Sequence, residues 1–275
     1  MNLNSKYKLN NGVEIPVIGL GVFKSPAGKT TRNSVKYALQ AGYRHIDTAK
    51  IYANENDVGK AITECDIPRE EIFVTTKLWN SDQGYDSTLK ACDESLTKLG
   101  LDYIDLYLMH WPVENLRLDS WKAMEKLLQD GKCRAIGVSN FMSRHISELL
   151  DNCKIVPAVN QIELTPYNYL YLKEVVDLCQ DKNILIEAYS PLTKGRRLND
   201  AKLVELASKY GKTTAQILIS WALEKMFIVI PKSVRENRIR ENADVFNFSI
   251  SAEDISYLET FNENLITGWD PTKAP

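Results

Sequence analysis

Eight short runs of apolar, largely β-branched residues recur along the chain, at 17–21, 44–47, 72–77, 104–110, 135–140, 158–163, 184–189 and 228–232. Near-continuous hydrophobicity of this kind suits parallel strands covered on both faces. Between the runs, apolar residues return at spacings of three and four. Leu89, Cys92, Leu96 and Leu99 form one such stripe, Trp121, Met124 and Leu128 another, and Leu172, Val175, Val176 and Cys179 a third. Each predicts a helix with one apolar face. Strand and helix alternating through short connections predict a parallel sheet, and eight units suggest closure into a (β/α)8 TIM barrel. An open, doubly wound sheet is the alternative that the pattern leaves standing.

Three features fall outside the alternation. Residues 7–15 read as an N-terminal β-hairpin turned by Asn11-Gly12, because such a pair accepts the positive φ of a tight turn. Two extra helices, 200–210 and 213–224, are separated by Gly211, and a final helix follows Ser251, with Asp254 placed to complete a capping box. The tail from Asn262 is expected to be a loose lid. With no linker rich in Pro, Gly or Ser, residues 1–275 are expected to form a single domain.

Composition narrows the possibilities. The 34 basic and 36 acidic side chains argue against a general nucleic-acid binder, which needs a wide positive surface. No run approaches the ~18 apolar residues of a membrane span, and the first residues hold no apolar signal core, so the expected location is the cytoplasm. Five scattered cysteines read as small buried hydrophobes in a reducing compartment.

The strand interiors are apolar, but their C-terminal ends are not. Asp47, Lys77, His110, Ser139-Asn140, Asn160-Gln161, Tyr189-Ser190 and Lys232-Ser233 close successive runs, and Tyr52 follows Asp47 by five positions. In a barrel these ends converge on one rim, where active sites are built. Taken singly, Asp47 reads equally well as a cap, Tyr52 and His110 as core residues and Lys77 as a surface charge. Taken together on adjacent strands they suggest chemistry. An ammonium whose stem is buried by Ile72–Thr76 needs a carboxylate partner, and Asp47 is the candidate. A cation near Tyr52 favours phenolate and is expected to lower the phenol's pKa toward working pH, while His110 could hold a carbonyl oxygen. No paired carboxylates, nucleophile elbow or His/Cys metal cluster competes with this reading, so no metal is expected.

A carbonyl-reducing site needs a hydride source. Gly19-Leu20-Gly21-Val22-Phe23-Lys24 has Lys24 where a dinucleotide fingerprint requires its third glycine, so it fails as a Rossmann signal. The end of the eighth run, passing through Lys232-Ser233 into a helix with Arg238, is better suited to phosphate.

These segments resemble the aldo-keto reductase family. The resemblance is carried by Gly42-Tyr43-Arg44-His45-Ile46-Asp47-Thr48-Ala49-Lys50-Ile51-Tyr52, by Leu108-Met109-His110-Trp111-Pro112, by Ile136-Gly137-Val138-Ser139-Asn140-Phe141 and by Ile230-Pro231-Lys232-Ser233. They fall in family order across essentially the whole chain, and the short insertions look most like the bacterial branch that includes diketogluconate and methylglyoxal reductases. The resemblance implies a catalytic tetrad of Asp47, Tyr52, Lys77 and His110, with Tyr52 protonating a carbonyl oxygen as NADPH delivers hydride. It implies Ser139, Asn140 and Gln161 on the nicotinamide amide, Tyr189 stacked on its ring, and Ser190 and Leu192 over the pyrophosphate. Lys232, Ser233 and Arg238 would take the 2′-phosphate and favour NADPH over NADH, with Glu241 and Asn242 on the adenine. Phe23, Trp79 and Trp111 would join His110 around a small-molecule carbonyl substrate, in a monomer.

Two positions depart from the family pattern. Phe23 stands where many relatives carry Trp, and Lys50 where a small residue or histidine is common, which leaves the pocket shape open. His110 in place of Glu favours carbonyl over carbon–carbon double-bond reduction. The rival readings are a regulatory or structural relative that binds cofactor with little turnover, like potassium-channel β-subunits or lens crystallins, and a lyase using Lys77 as a Schiff base.

Overall fold

The computed structural model describes residues 1–275. A hairpin comes first, β1 (Lys6–Lys8) against β2 (Glu14–Pro16), closed by Gly12 at φ 89°. Eight parallel strands follow: β3 (Leu20–Gly21), β4 (His45–Asp47), β5 (Phe73–Leu78), β6 (Ile104–Met109), β7 (Cys133–Ser139), β8 (Val159–Glu163), β9 (Leu185–Tyr189) and β10 (Ile228–Ile230). They lie in sequence order in one sheet. The first and last strands then meet. Ile18 pairs in parallel with Val229, the Gly19 amide donates to Val229 O at 2.9 Å, and the Val229 amide donates to Val17 O at 3.0 Å. That seam closes the barrel and removes the open-sheet alternative.

The helices are α1 (Lys29–Gln40), α2 (Glu55–Thr63), α3 (Tyr85–Leu99), α4 (Arg117–Gln129), α5 (Ser143–Asn152), α6 (Lys173–Asp181), α7 (Ala201–Tyr210), α8 (Thr214–Glu224), α9 (Glu236–Ala243) and α10 (Ala252–Glu259). Of the pair between β9 and β10, α8 packs on the barrel strand β10 and α7 packs on α8, so α7 is the insertion. Gly211 at φ 61° ends α7, and Thr213 and Gln216 form a reciprocal capping box at the start of α8. The box expected at α10 is only half made. Ser251 Oγ accepts the Asp254 amide at 3.2 Å, but the Asp254 carboxylate turns instead to Lys209 and the Tyr210 hydroxyl.

Strand ends also shift from expectation for local reasons. The eighth strand stops at Ile230 because Pro231 has no N–H to continue the ladder. Asn140 leaves β7 at φ 63°, a left-handed conformation in which Asn is enriched.

Alternation along each strand sorts the core into two layers. Ile46, Val74, Tyr107, Ile136 and Ile162 pack outward beneath the helices. Phe73, Leu106, Leu108, Ala135, Val159 and Ile228 fill the barrel interior, and Leu9 and Ile15 of the hairpin pack onto the same cluster. The N-terminal end is therefore plugged by apolar side chains, and the polar rim at the other end is left free for chemistry.

Candidate active site

The tetrad residues are brought together by β4, β5 and β6. Lys77, fully buried on β5, donates to Asp47 Oδ1 at 2.7 Å, to Asp47 Oδ2 at 2.6 Å and to the Thr48 carbonyl at 2.8 Å. Three donors thus meet three acceptors, the satisfaction that a buried ammonium requires. Its Nζ lies 5.2 Å from the Tyr52 ring centroid. His110, just beyond β6, sets its ring edge-on to Tyr52 at 5.8 Å and to Trp79 at 5.2 Å.

The loop bearing Tyr52 is held from two sides. Asn54 donates to Val22 O at 3.1 Å and accepts from Thr48 Oγ1 at 2.8 Å. Lys50 bridges to Asp82 at 2.9 Å and Glu94 at 3.0 Å, so it braces this loop against the one that follows Trp79. Lys50 does not line the cavity, so its departure from the family pattern places no side chain in the pocket.

Expectation and structure differ on one electrostatic point. Burial, followed by the charges of Asp47, Tyr189 and Glu187, holds the Tyr52 phenol well above its ordinary range rather than lowering it. The reason is visible in the Lys77 bonds: its charge is already matched by Asp47, so desolvation of the phenolate wins. Tyr52 is therefore a fully protonated phenol, the form that donates. His110 is held well below the usual histidine range by burial and by Lys77, and is a neutral imidazole.

A chain of polar groups continues around the rim. Ser139 Oγ donates to Gln161 O at 2.8 Å, and Asn140 Nδ2 donates to His110 O at 3.0 Å and to Ser139 Oγ at 3.1 Å. Tyr189 OH donates to Asn140 Oδ1 at 2.9 Å. Gln161 Nε2 spends both hydrogens, on Asp47 Oδ2 at 2.8 Å and Glu187 Oε2 at 3.0 Å, which leaves the side-chain oxygen Oε1 as the atom free for a ligand.

These groups open into one cavity of about 880 Å3. Phe23, Asp47, Tyr52, Trp79, His110, Trp111, Ser139, Asn140, Gln161, Tyr189, Ser190, Leu192, Lys232 and Arg238 all line it. Lys77 sits behind the wall. Ser233, Glu241 and Asn242 lie outside it, on the turn before α9 and on α9 itself: Ser233 Oγ accepts the Arg235 amide at 3.1 Å, Glu241 accepts from Thr213 at 2.9 Å, and Asn242 is buried. At that end of the cavity Lys232 has no charged partner; it is exposed, and partial desolvation alone shifts its ammonium down, while the α9 N-terminus has no side-chain cap.

The tail is not a loose lid. Glu163 accepts the Thr267 amide at 2.8 Å and the Gly268 amide at 3.2 Å, and Arg144 donates to Thr272 O at 3.1 Å. The anchors place Trp269 over the cavity, 5.9 Å from the Trp111 ring and 6.3 Å from Trp79. Sequence reasoning missed this wall, together with Thr267, Lys194 and Leu198. The lone aromatic residue of the tail is the one signal that pointed to it.

The sequence profile described as the Aldo/keto reductase family matches residues 17–263. The chain is 48% identical to the glyoxal reductase of Bacillus subtilis, covering 98% of this chain and 97% of that one. It superposes with a TM-score of 0.93 on an aldo-keto reductase from a deep-sea metagenome library, MGS-M4, at 45% identity over 98% of this chain and 100% of that one. An aldo-keto reductase of Bombyx mori solved in complex with NADP gives a TM-score of 0.90 at 38% identity, covering 98% and 97%.

Proposed function

The chain belongs to the aldo/keto reductase family, and we propose that it reduces small aldehydes or ketones to alcohols with NADPH, Tyr52 acting as general acid. The observation that carries this reading is the Lys77 ammonium fixed by Asp47 within 5.2 Å of a protonated Tyr52 ring, at the wall of a cavity whose far end holds Lys232 and Arg238.

The cavity fits the cofactor chemically. Unpaired cations and free amides at α9 suit a phosphate, the Gln161 side-chain Oε1 suits a carboxamide N–H, and Tyr189 offers a ring to stack upon. When bound, NADPH supplies the hydride that reduces the carbonyl carbon. Neutral His110, beside Tyr52, donates a hydrogen bond to the substrate oxygen and orients it. Tyr52 passes its phenolic proton to that oxygen, leaving a phenolate that regains a proton from solvent. Lys77 opposes the charge as the phenolate forms, which is the moment at which a pre-placed cation acts most strongly. Phe23, Trp79, Trp111 and Trp269 exclude water and accept a compact, partly apolar substrate. Ser190 and Leu192 would cover the pyrophosphate, Ser233 would assist Lys232 and Arg238, and Glu241 and Asn242 would face the adenine.

NADPH oxidation followed at steady state with a panel of aldehydes and ketones tests the proposal. Turnover supports it; NADPH binding without turnover of any carbonyl would favour the regulatory reading instead.

A further inference from the structure

Beneath the tetrad the barrel interior holds titratable groups for which the proposed reaction has no use. Glu187 on β9 and His45 on β4 are completely buried, with Glu187 Oε1 3.6 Å from His45 Nε2. His45 Nε2 also lies 3.0 Å from Thr75 Oγ1 of β5. Gln161 of β8 joins this layer to the site above, because its amide nitrogen donates to both Glu187 and Asp47. The charged and titratable groups facing the pair are Asp47 from β4, Lys77 from β5 and Tyr52 from the loop after β4. Elsewhere the pair meets the edge of Phe73 and the backbone of Gly19, where a Cβ would sit 2.6 Å from His45 Nδ1. The rest of the interior, from β6, β7 and β10, is Leu106, Leu108, Ala135 and Ile228.

Counting donors settles the charge. The interior has two carboxyl groups, Asp47 and Glu187, and one ammonium, all of whose N–H bonds go to Asp47 and Thr48. A second buried carboxylate would have no cation, so the layer keeps one proton. That proton does not reside on His45. Its Nδ1 has no partner, so an imidazolium would bury a bare, charged N–H, and burial with the nearby Lys77 pushes the ring down to about 3. Glu187 Oε1, 3.6 Å from His45 Nε2, also lacks a partner, but a proton there leaves a neutral carboxyl rather than a second buried cation. Asp47 accepts two bonds from the Lys77 ammonium and one from Gln161, the pattern of an anion, whereas Glu187 meets no cation and is the remaining holder; burial and the Asp47 charge push its carboxyl up to about 8.

We propose that Glu187, backed by His45, stores one proton beneath the Asp47–Lys77 pair and is thereby a positioning residue for the Tyr52 acid. With the proton in place, Gln161 spans one neutral and one anionic carboxyl, and the site carries no net charge. When the proton leaves, a second negative charge sits under Tyr52 and opposes the phenolate that proton donation must create, so carbonyl reduction weakens at alkaline pH. The inference rests on the carbonyl-reductase reading.

The test is the pH dependence of kcat/KM in the parent protein and in Glu187→Gln, together with infrared titration of the neutral-carboxyl C=O stretch. The parent is expected to lose kcat/KM above about pH 8 along a single-proton limb, by at most about tenfold per pH unit, and Glu187→Gln to lose that alkaline limb. The infrared band should be present at neutral pH, titrate near pH 8 and vanish in the variant. An unaltered alkaline limb in Glu187→Gln, or a parent without a titrating neutral-carboxyl band, overturns the proposal. The band is read without substrate, so absent turnover sinks the reductase reading while the infrared result still decides this one. Should Glu187→Gln fail to fold, the parent's titration decides it.

Discussion

In the proposed reaction two demands meet at Tyr52: the phenol keeps its proton until a carbonyl arrives and then surrenders it. Burial and the Asp47 carboxylate satisfy the first, and the Lys77 ammonium satisfies the second by standing where the phenolate will form. The motif around Asp47, Tyr52, Lys77 and His110 made these four residues legible in the sequence. The direction of the Tyr52 shift was not, because it depends on how completely Asp47 and Thr48 consume the lysine's donors. Trp269 and Glu187 were equally illegible, since each acquires its neighbours only from distant parts of the chain. At the cofactor end, Lys232→Ala and Arg238→Ala are expected to raise KM for NADPH by roughly ten- to a hundredfold, as loss of a charged hydrogen bond does, with little effect on NADH. Steady-state kinetics with both cofactors checks this, and equal losses with the two would remove the assignment of the 2′-phosphate.

Among the elements, the strands follow from their short apolar, β-branched runs, and α3, α4 and α6 from apolar stripes at spacings of three and four. Closure does not follow from periodicity. It needs the Ile18–Val229 bridge, a pairing across the whole sequence that no local pattern announces. Close approaches are hidden in the same way. Gly59 of α2 abuts the C-terminal end of α3, and a Cβ there would meet Leu99 O at 2.0 Å. Backbone cannot yield cheaply, so Gly59→Ala is expected to destabilise the fold by about 1–3 kcal/mol through overpacking, despite the better helix propensity of alanine. Denaturant unfolding measures it; an unchanged midpoint would mean that α2 and α3 are packed less tightly than the structure has them. The Lys50 brace and the Glu163 anchor act at this scale too, tying the loops that bear Tyr52, Trp79 and Trp269 to rigid elements.

For the molecule as a whole, the interior proton makes stability depend on pH in a defined way. His45 is pushed down from 6.5 to about 3 and Glu187 up from 4.5 to about 8. Between about pH 4.5 and 6.5 the folded chain holds the proton on Glu187 and the unfolded chain holds it on His45, so the pair's contribution is flat. Below that window the unfolded chain binds one proton more, and stability falls with acid. Above it the folded chain binds one more, and stability falls toward pH 8. Each slope is about 1.4 kcal/mol per pH unit for one proton. Urea unfolding across pH should show the alkaline decline in the parent and not in Glu187→Gln; a decline shared by both would place its origin elsewhere.

The proposed proton donor is tested most directly by Tyr52→Phe, which removes one oxygen and leaves the ring to pack against Phe23 and His110. Single-turnover reduction of an aldehyde by bound NADPH, with cofactor affinity measured in parallel by fluorescence, isolates the chemical step. The expected result is a loss of about 10²–10⁴-fold in rate, the contribution of a positioned general acid, with NADPH affinity retained. Near-parental turnover in Tyr52→Phe would contradict it.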